Sequence, residues 1–155
     1  MKSIKYFTQF IIILFFFIIF QILNIRLASK FSSILLKSIG PFFRSKKLIY
    51  KNIFRALPNA KQKDAEKITK NMWGNYGRIL AEYIFLKDFR NIKSHNCLEI
   101  VGQEILKKIK DEKEPVIFIS GHFNNFELMA MHIEKSGIDL AVIYRPLNNP
   151  FLNII

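Results

Sequence analysis

The stretch YFTQFIIILFFFIIFQILNI, residues 6–25, carries no charged side chain over 20 residues. Nothing else in the chain restricts its folding as strongly. At about 1.5 Å of rise per residue, a helix of that length covers about 30 Å, the thickness of a bilayer's hydrocarbon core. A cleaved signal peptide is the competing reading. Its apolar region is usually shorter and ends at a small-x-small site, whereas RLASKFSS follows here without an Ala-x-Ala pattern. The segment therefore reads as an uncleaved anchor, with residues 1–28 as the membrane unit and residues 29–155 as a separate domain.

Charge supports that division. The net charge of +12 is unevenly placed. Residues 26–70 hold twelve Lys and Arg against Asp64 and Glu66, while residues 71–155 hold ten of each sign. The excess lies beside the anchor, where each cation near anionic headgroups contributes about 1 kcal/mol. Nucleic acid is the other usual partner of a basic chain, but no aromatic-basic binding module is present. A merely solvated basic face accounts equally for several of these lysines. Lys2 and Lys5 flank one end of the anchor; Arg26, Lys30, Lys37 and Arg44 flank the other. The positive-inside rule then slightly favours a cytoplasmic C-terminal part. A helix dipping into one leaflet is the alternative. Cys97 stands alone, which excludes an internal disulfide and a cysteine zinc site, fits a reducing compartment, and reads as a small buried residue.

Beyond the anchor, residues 29–57 read as membrane-proximal helix broken at Gly40 and Pro41. Pro58 punctuates, and a helix begins near Asp64. Ile68, Met72, Tyr76, Ile79, Leu80 and Tyr83 recur at spacings of three and four, an apolar stripe. Trp73 in it reads as packing, and Glu82 as a surface or ion-paired residue. CLEIVG is a weak strand signal and QEILKKIKDEKE an exposed helix. PVIFIS, residues 115–120, is a continuous apolar run bounded by Pro115 and Gly121, as in a strand buried on both faces. NNFELMAMHIEKSG reads as a helix stopping at Gly137, and DLAVIYRP as a second apolar strand. Strand, helix, strand implies a βαβ unit with parallel strands and a right-handed crossover. The expected fold is thus α/β behind an N-terminal membrane helix. So small a sheet leaves apolar surface uncovered, so the domain is expected to be incomplete: a truncation, a split gene or a frameshift product.

The chemistry concentrates in ISGHFNNFELMA, residues 119–130. Five helical steps would set His122 and Glu127 about 140° apart. They meet only if His122 sits in the turn before the helix and Glu127 in its first turns. Gly121 permits such a turn, and Asn124 or Asn125 serves as N-cap. Glu127 would then fix the tautomer of His122 and leave its other nitrogen as a base. Ligands of open α/β sheets bind outside the carboxyl ends of the strands. The expected parallel strands put His122 and Arg145 on that same edge, beside a helix N-terminus that favours anions. The bland alternative is a surface turn with a capping Asn and a solvent-facing Arg. Two ligands are too few for a metal site, and His95 and His132 read as structural.

These residues also carry a resemblance. GHFNNFE resembles the Gly-His-Phe-Gly-Asn-Trp-Glu block of the bacterial lipid A biosynthesis acyltransferases, the late lauroyl and myristoyl transferases. YRPLNNP, residues 144–150, is similar to their Tyr-Arg-Pro-x-x-Asn-Pro block. KNIFRALPNA and MWGNYGRILAEY resemble upstream segments of the family. Asn124 stands where that block has Gly, and Phe126 where it has Trp. The resemblance spans most of this chain but only about the first half of a family member. It implies a glycerolipid-acyltransferase-like α/β domain in which His122 is the general base and Glu127 its partner. His122 would deprotonate a hydroxyl of a lipid A precursor for attack on the thioester of an acyl carrier protein. Arg145 would hold phosphate or the acceptor, with no metal or organic cofactor. Two alternatives stand beside it: a truncated, inactive membrane-attached fragment, and a basic membrane-surface protein without chemistry.

Overall fold

A computed structural model describes residues 2–91, 98–143 and 145–154. His95 and Cys97 lie outside the described residues, as does Tyr144 of the second expected strand. The described residues form two units, one of residues 20–84 and one of residues 1–19 with 85–155.

The apolar N-terminal stretch is helix α1, Lys2–Ile22. From Phe10 to Phe20 it is apolar all round, and its apolar stretch is almost entirely uncovered by protein. Such a helix is at home in an apolar surrounding and not on a wet surface. It ends three residues short of the apolar stretch because Asn24 starts a new helix. The Asn24 side chain accepts a hydrogen bond from the Leu27 N–H at 2.9 Å, a cap contributing about 1 kcal/mol. Helix α2, Ile25–Ile39, follows, then a 3₁₀ turn at Gly40–Phe42, α3 at Lys46–Ala56 and α4 at Gln62–Glu82.

The unit of residues 20–84 is built on α2 packed along α4. Ala28, Ser32 and Ser33 of α2 are buried, as are Gly74, Gly77 and Ala81 of α4. Small residues let the two backbones approach closely. A Cβ added at Gly77 would lie 2.2 Å from the Ser32 carbonyl oxygen. Beside this seam Trp73 packs with Ile49, Ile53 and Ala65, against Leu36, Tyr50, Phe54 and Met72. Gly40 makes room for the indole: a Cβ there would stand 2.3 Å from Trp73 Cδ2. At the start of α4 the Asp64 carboxylate accepts from the Lys61 N–H at 2.9 Å.

The other unit adds α5, Leu86–Arg90, α6, Gln103–Glu112, and α7, Glu127–Lys135. Phe89 of α5 and Ile133 of α7 are buried, and Arg90 pairs with Glu134 at 2.6 Å. That pair is half exposed and contributes at most about 1 kcal/mol. α6 buries none of its residues, the exposed helix that its charge pattern predicts. Near residue 150 the chain returns to α1. Asn149 is buried and donates from Nδ2 to the Tyr6 carbonyl oxygen at 2.9 Å. Phe151 packs on Phe7 and Phe10, with ring centroids 5.7 and 6.0 Å apart.

The expected α/β sheet is not formed. Among the described residues there is no strand, and the regular structure is all helix. Residues 98–101, 115–120 and 139–143 are irregular. Ile117 and Ile119 are 89% and 91% exposed, the reverse of a strand buried on both faces. A run of β-branched residues states a preference, but a strand exists only by pairing with another. These runs pair with nothing among the described residues, so the βαβ unit and its crossover fall with the sheet.

Candidate active site

The GHFNNFE block forms a compact turn leading into α7. The Phe123 N–H donates to the Gly121 carbonyl oxygen at 2.8 Å, closing a three-residue turn. A Cβ at Gly121 would meet the Phe123 ring at 2.5 Å, so that exposed ring would have to swing aside. Asn124 has φ of +47°, in the left-handed region. That accounts for Gly at the same place in the family block: Gly adopts this conformation freely, and Asn tolerates it better than most side chains.

The helix entry differs from the expected one. The N-cap is Phe126, with no side-chain cap hydrogen bond, so neither Asn124 nor Asn125 caps α7. Asn125 is buried, and its carbonyl oxygen accepts from the Leu128 N–H at 3.3 Å. Glu127 is the first residue of α7, where the helix dipole favours a carboxylate. His122 lies in the preceding turn, so both residues occupy the chain positions required of them. Both side chains are exposed. The His122 ring packs on Phe126, with centroids 4.4 Å apart at 57°. Among the described contacts no hydrogen bond or ion pair joins His122 to Glu127. The turn thus presents an accessible imidazole backed by an aromatic ring, with a carboxylate at the adjoining helix start.

Arg145 is exposed in the irregular segment after residue 143. Its expected place beside His122 came from two parallel strands, and without them that juxtaposition has no scaffold. The YRPLNNP block shows a different role at Asn149. Besides its bond to Tyr6, Asn149 accepts through Oδ1 from the Phe151 N–H at 3.1 Å. An Asn followed by Pro signals a local turn, which was the signal available for this anchor point. His132 lies half-buried on α7, and its backbone carbonyl oxygen accepts from Ser136 Oγ. Trp73 is core, as its place in the stripe predicts, and Glu82 is half-buried.

A helix long and apolar enough to cross a membrane, a basic helical unit and a His-x₄-Glu turn at a helix start occur together in this chain. The family model described as bacterial lipid A biosynthesis acyltransferase matches residues 1–155, the whole chain. The chain belongs to that family, and its general activity is acyl transfer in lipid A biosynthesis. No curated protein and no solved structure matches it.

Proposed function

We propose that this protein transfers a fatty acyl chain from acyl carrier protein to a hydroxyl of a lipid A precursor. The observation that carries this reading is the GHFNNFE turn, which exposes His122 immediately before a helix that begins with Glu127. His122 takes the proton of the acceptor hydroxyl. The oxygen attacks the thioester carbonyl, the carbon–sulfur bond breaks, and the carrier's thiolate leaves and is protonated. Glu127 closes onto His122 when substrate binds, a tightening common where unliganded catalytic contacts are long. Arg145 binds phosphate on the acceptor, as a planar cation suited to that group. Residues 1–28 anchor the chain in the bacterial inner membrane with the remainder facing the cytoplasm. Support for that placement comes from the bare apolar surface of α1 and the basic residues after it.

The test is acyl transfer from an acyl carrier protein thioester to a lipid A precursor, by membranes containing the protein. Wild type should transfer, and His122→Ala should lower the rate by about 10²–10⁴-fold at unchanged protein level. Transfer that is indifferent to His122→Ala removes the mechanism. Membrane attachment without transfer in either protein favours the two alternatives, an inactive fragment or a basic membrane-surface protein.

A further inference from the structure

One face of α2 carries an apolar stripe that stays largely exposed, although the Phe31 ring meets Phe20 edge-on with centroids 6.2 Å apart. Leu27, Phe31 and Ile34 are all exposed, and their spacing of four and three sets them on one side of the helix. Periodicity places that side roughly opposite Ala28, Ser32 and Ser33, the residues buried toward α4. The stripe continues past the helix. The 3₁₀ turn ends in Phe42, 89% exposed, and Phe43 follows at 74%. Adjacent wet phenylalanines lose the hydration free energy that burial would gain, so a cluster of this kind marks a contact surface.

The surroundings say what kind of contact. Arg26 and Lys30 lie along α2, and Arg44, Lys46 and Lys47 follow the aromatic pair, all exposed. The Lys46 ammonium stands 5.0 Å from the Tyr50 ring centroid. No carboxylate side chain occurs before Asp64. An apolar stripe rimmed by cations of one sign is the pattern of a helix lying in a membrane interface. Ile25 begins α2 only three residues after Ile22 ends the apolar helix.

We infer that Leu27, Phe31, Ile34, Phe42 and Phe43, with their Lys and Arg rim, dock in the headgroup region of an anionic bilayer. This is a second membrane contact, distinct from insertion of α1. It rests on the membrane attachment proposed above and deepens it: the basic helical unit is held at the surface where a phosphorylated lipid acceptor lies.

The test uses the full chain in vesicles. Trp73→Phe removes the single native tryptophan, and Phe42→Trp then reports from the patch. Asn71→Trp, on the exposed side of α4, is the control. In phosphatidylglycerol vesicles with brominated acyl chains, the reporter at position 42 should shift to the blue. Its quenching should exceed the control's by about threefold or more. Adding Arg44→Glu, Lys46→Glu and Lys47→Glu should lower the inserted fraction by about tenfold or more, as should phosphatidylcholine in place of the anionic lipid. Quenching equal to the control overturns the inference. Protection from acrylamide without bromine quenching also overturns it, by showing that protein and not lipid covers the face. Only pelleted, vesicle-bound protein is measured, and acyl transfer is read separately on the same vesicles. Lost transfer with intact quenching therefore counts against the enzymatic reading alone.

Discussion

Trp73 shows how one residue divides between shape and hydrogen bonding. Its indole fills the space left by Gly40 and closes the core of the basic unit. Yet its Nε1–H is buried with no acceptor among the described residues, and an unmet donor of that kind costs about 1–3 kcal/mol. The two contributions oppose each other. Trp73→Ala removes the packing and should lower unfolding stability by about 3–5 kcal/mol. Trp73→Phe keeps an aromatic ring and discards the unmet donor, so its cost should stay below about 1.5 kcal/mol. Denaturant unfolding followed by circular dichroism separates them; equal losses would mean that the indole nitrogen has a partner. Asn124 makes a related point at the candidate site. Its positive φ explains a Gly in the family block, and no periodicity argument on one sequence reveals a backbone angle.

At the scale of elements, helices were legible and their inward faces were not. The stripe Ile68, Met72, Tyr76, Ile79, Leu80 and Tyr83 does mark α4, but Ile68, Tyr76 and Tyr83 are exposed. The face that packs on α2 is the one with Gly74, Gly77 and Ala81. Large apolar residues dominate a periodicity count, whereas close helix packing selects absence of bulk. Gly77 tests this directly. Gly77→Ala would raise intrinsic helix propensity, but its methyl meets the Ser32 backbone, which cannot swing aside. The clash should win, with a net loss of about 1–3 kcal/mol read as a lower thermal midpoint. A midpoint that rises would put the α2–α4 seam elsewhere. The missing sheet has the opposite cause. The runs at 115–120 and 139–143 have strand composition, and composition alone cannot supply the neighbour that a ladder needs. With the ladder went the argument that set Arg145 beside His122, whereas the local turn before α7 survived because it depends only on adjacent residues.

For the whole molecule, the decisive distinction is between attachment by charge and attachment by apolar surface. On the attachment proposed above, α1 supplies the main apolar contact, and the basic unit adds charge and a smaller apolar patch. In about 1 M salt the screening length falls to about 3 Å, which removes most surface attraction. The protein should nevertheless stay in the membrane pellet after such a wash. The double substitution Leu14→Arg with Ile18→Arg should release it, since each arginine in the apolar helix costs about 2.5–3.5 kcal/mol. Release of the wild type by salt alone would reassign attachment to the basic unit. The bond from Asn149 to Tyr6 bears on when this state is reached, because 143 residues separate the partners in sequence. At about 5–20 residues per second, a ribosome needs roughly 7–30 s to deliver the second after the first. For all that interval the opening turns of α1 are without Phe151, and the rings of Phe7 and Phe10 gain that neighbour only afterwards.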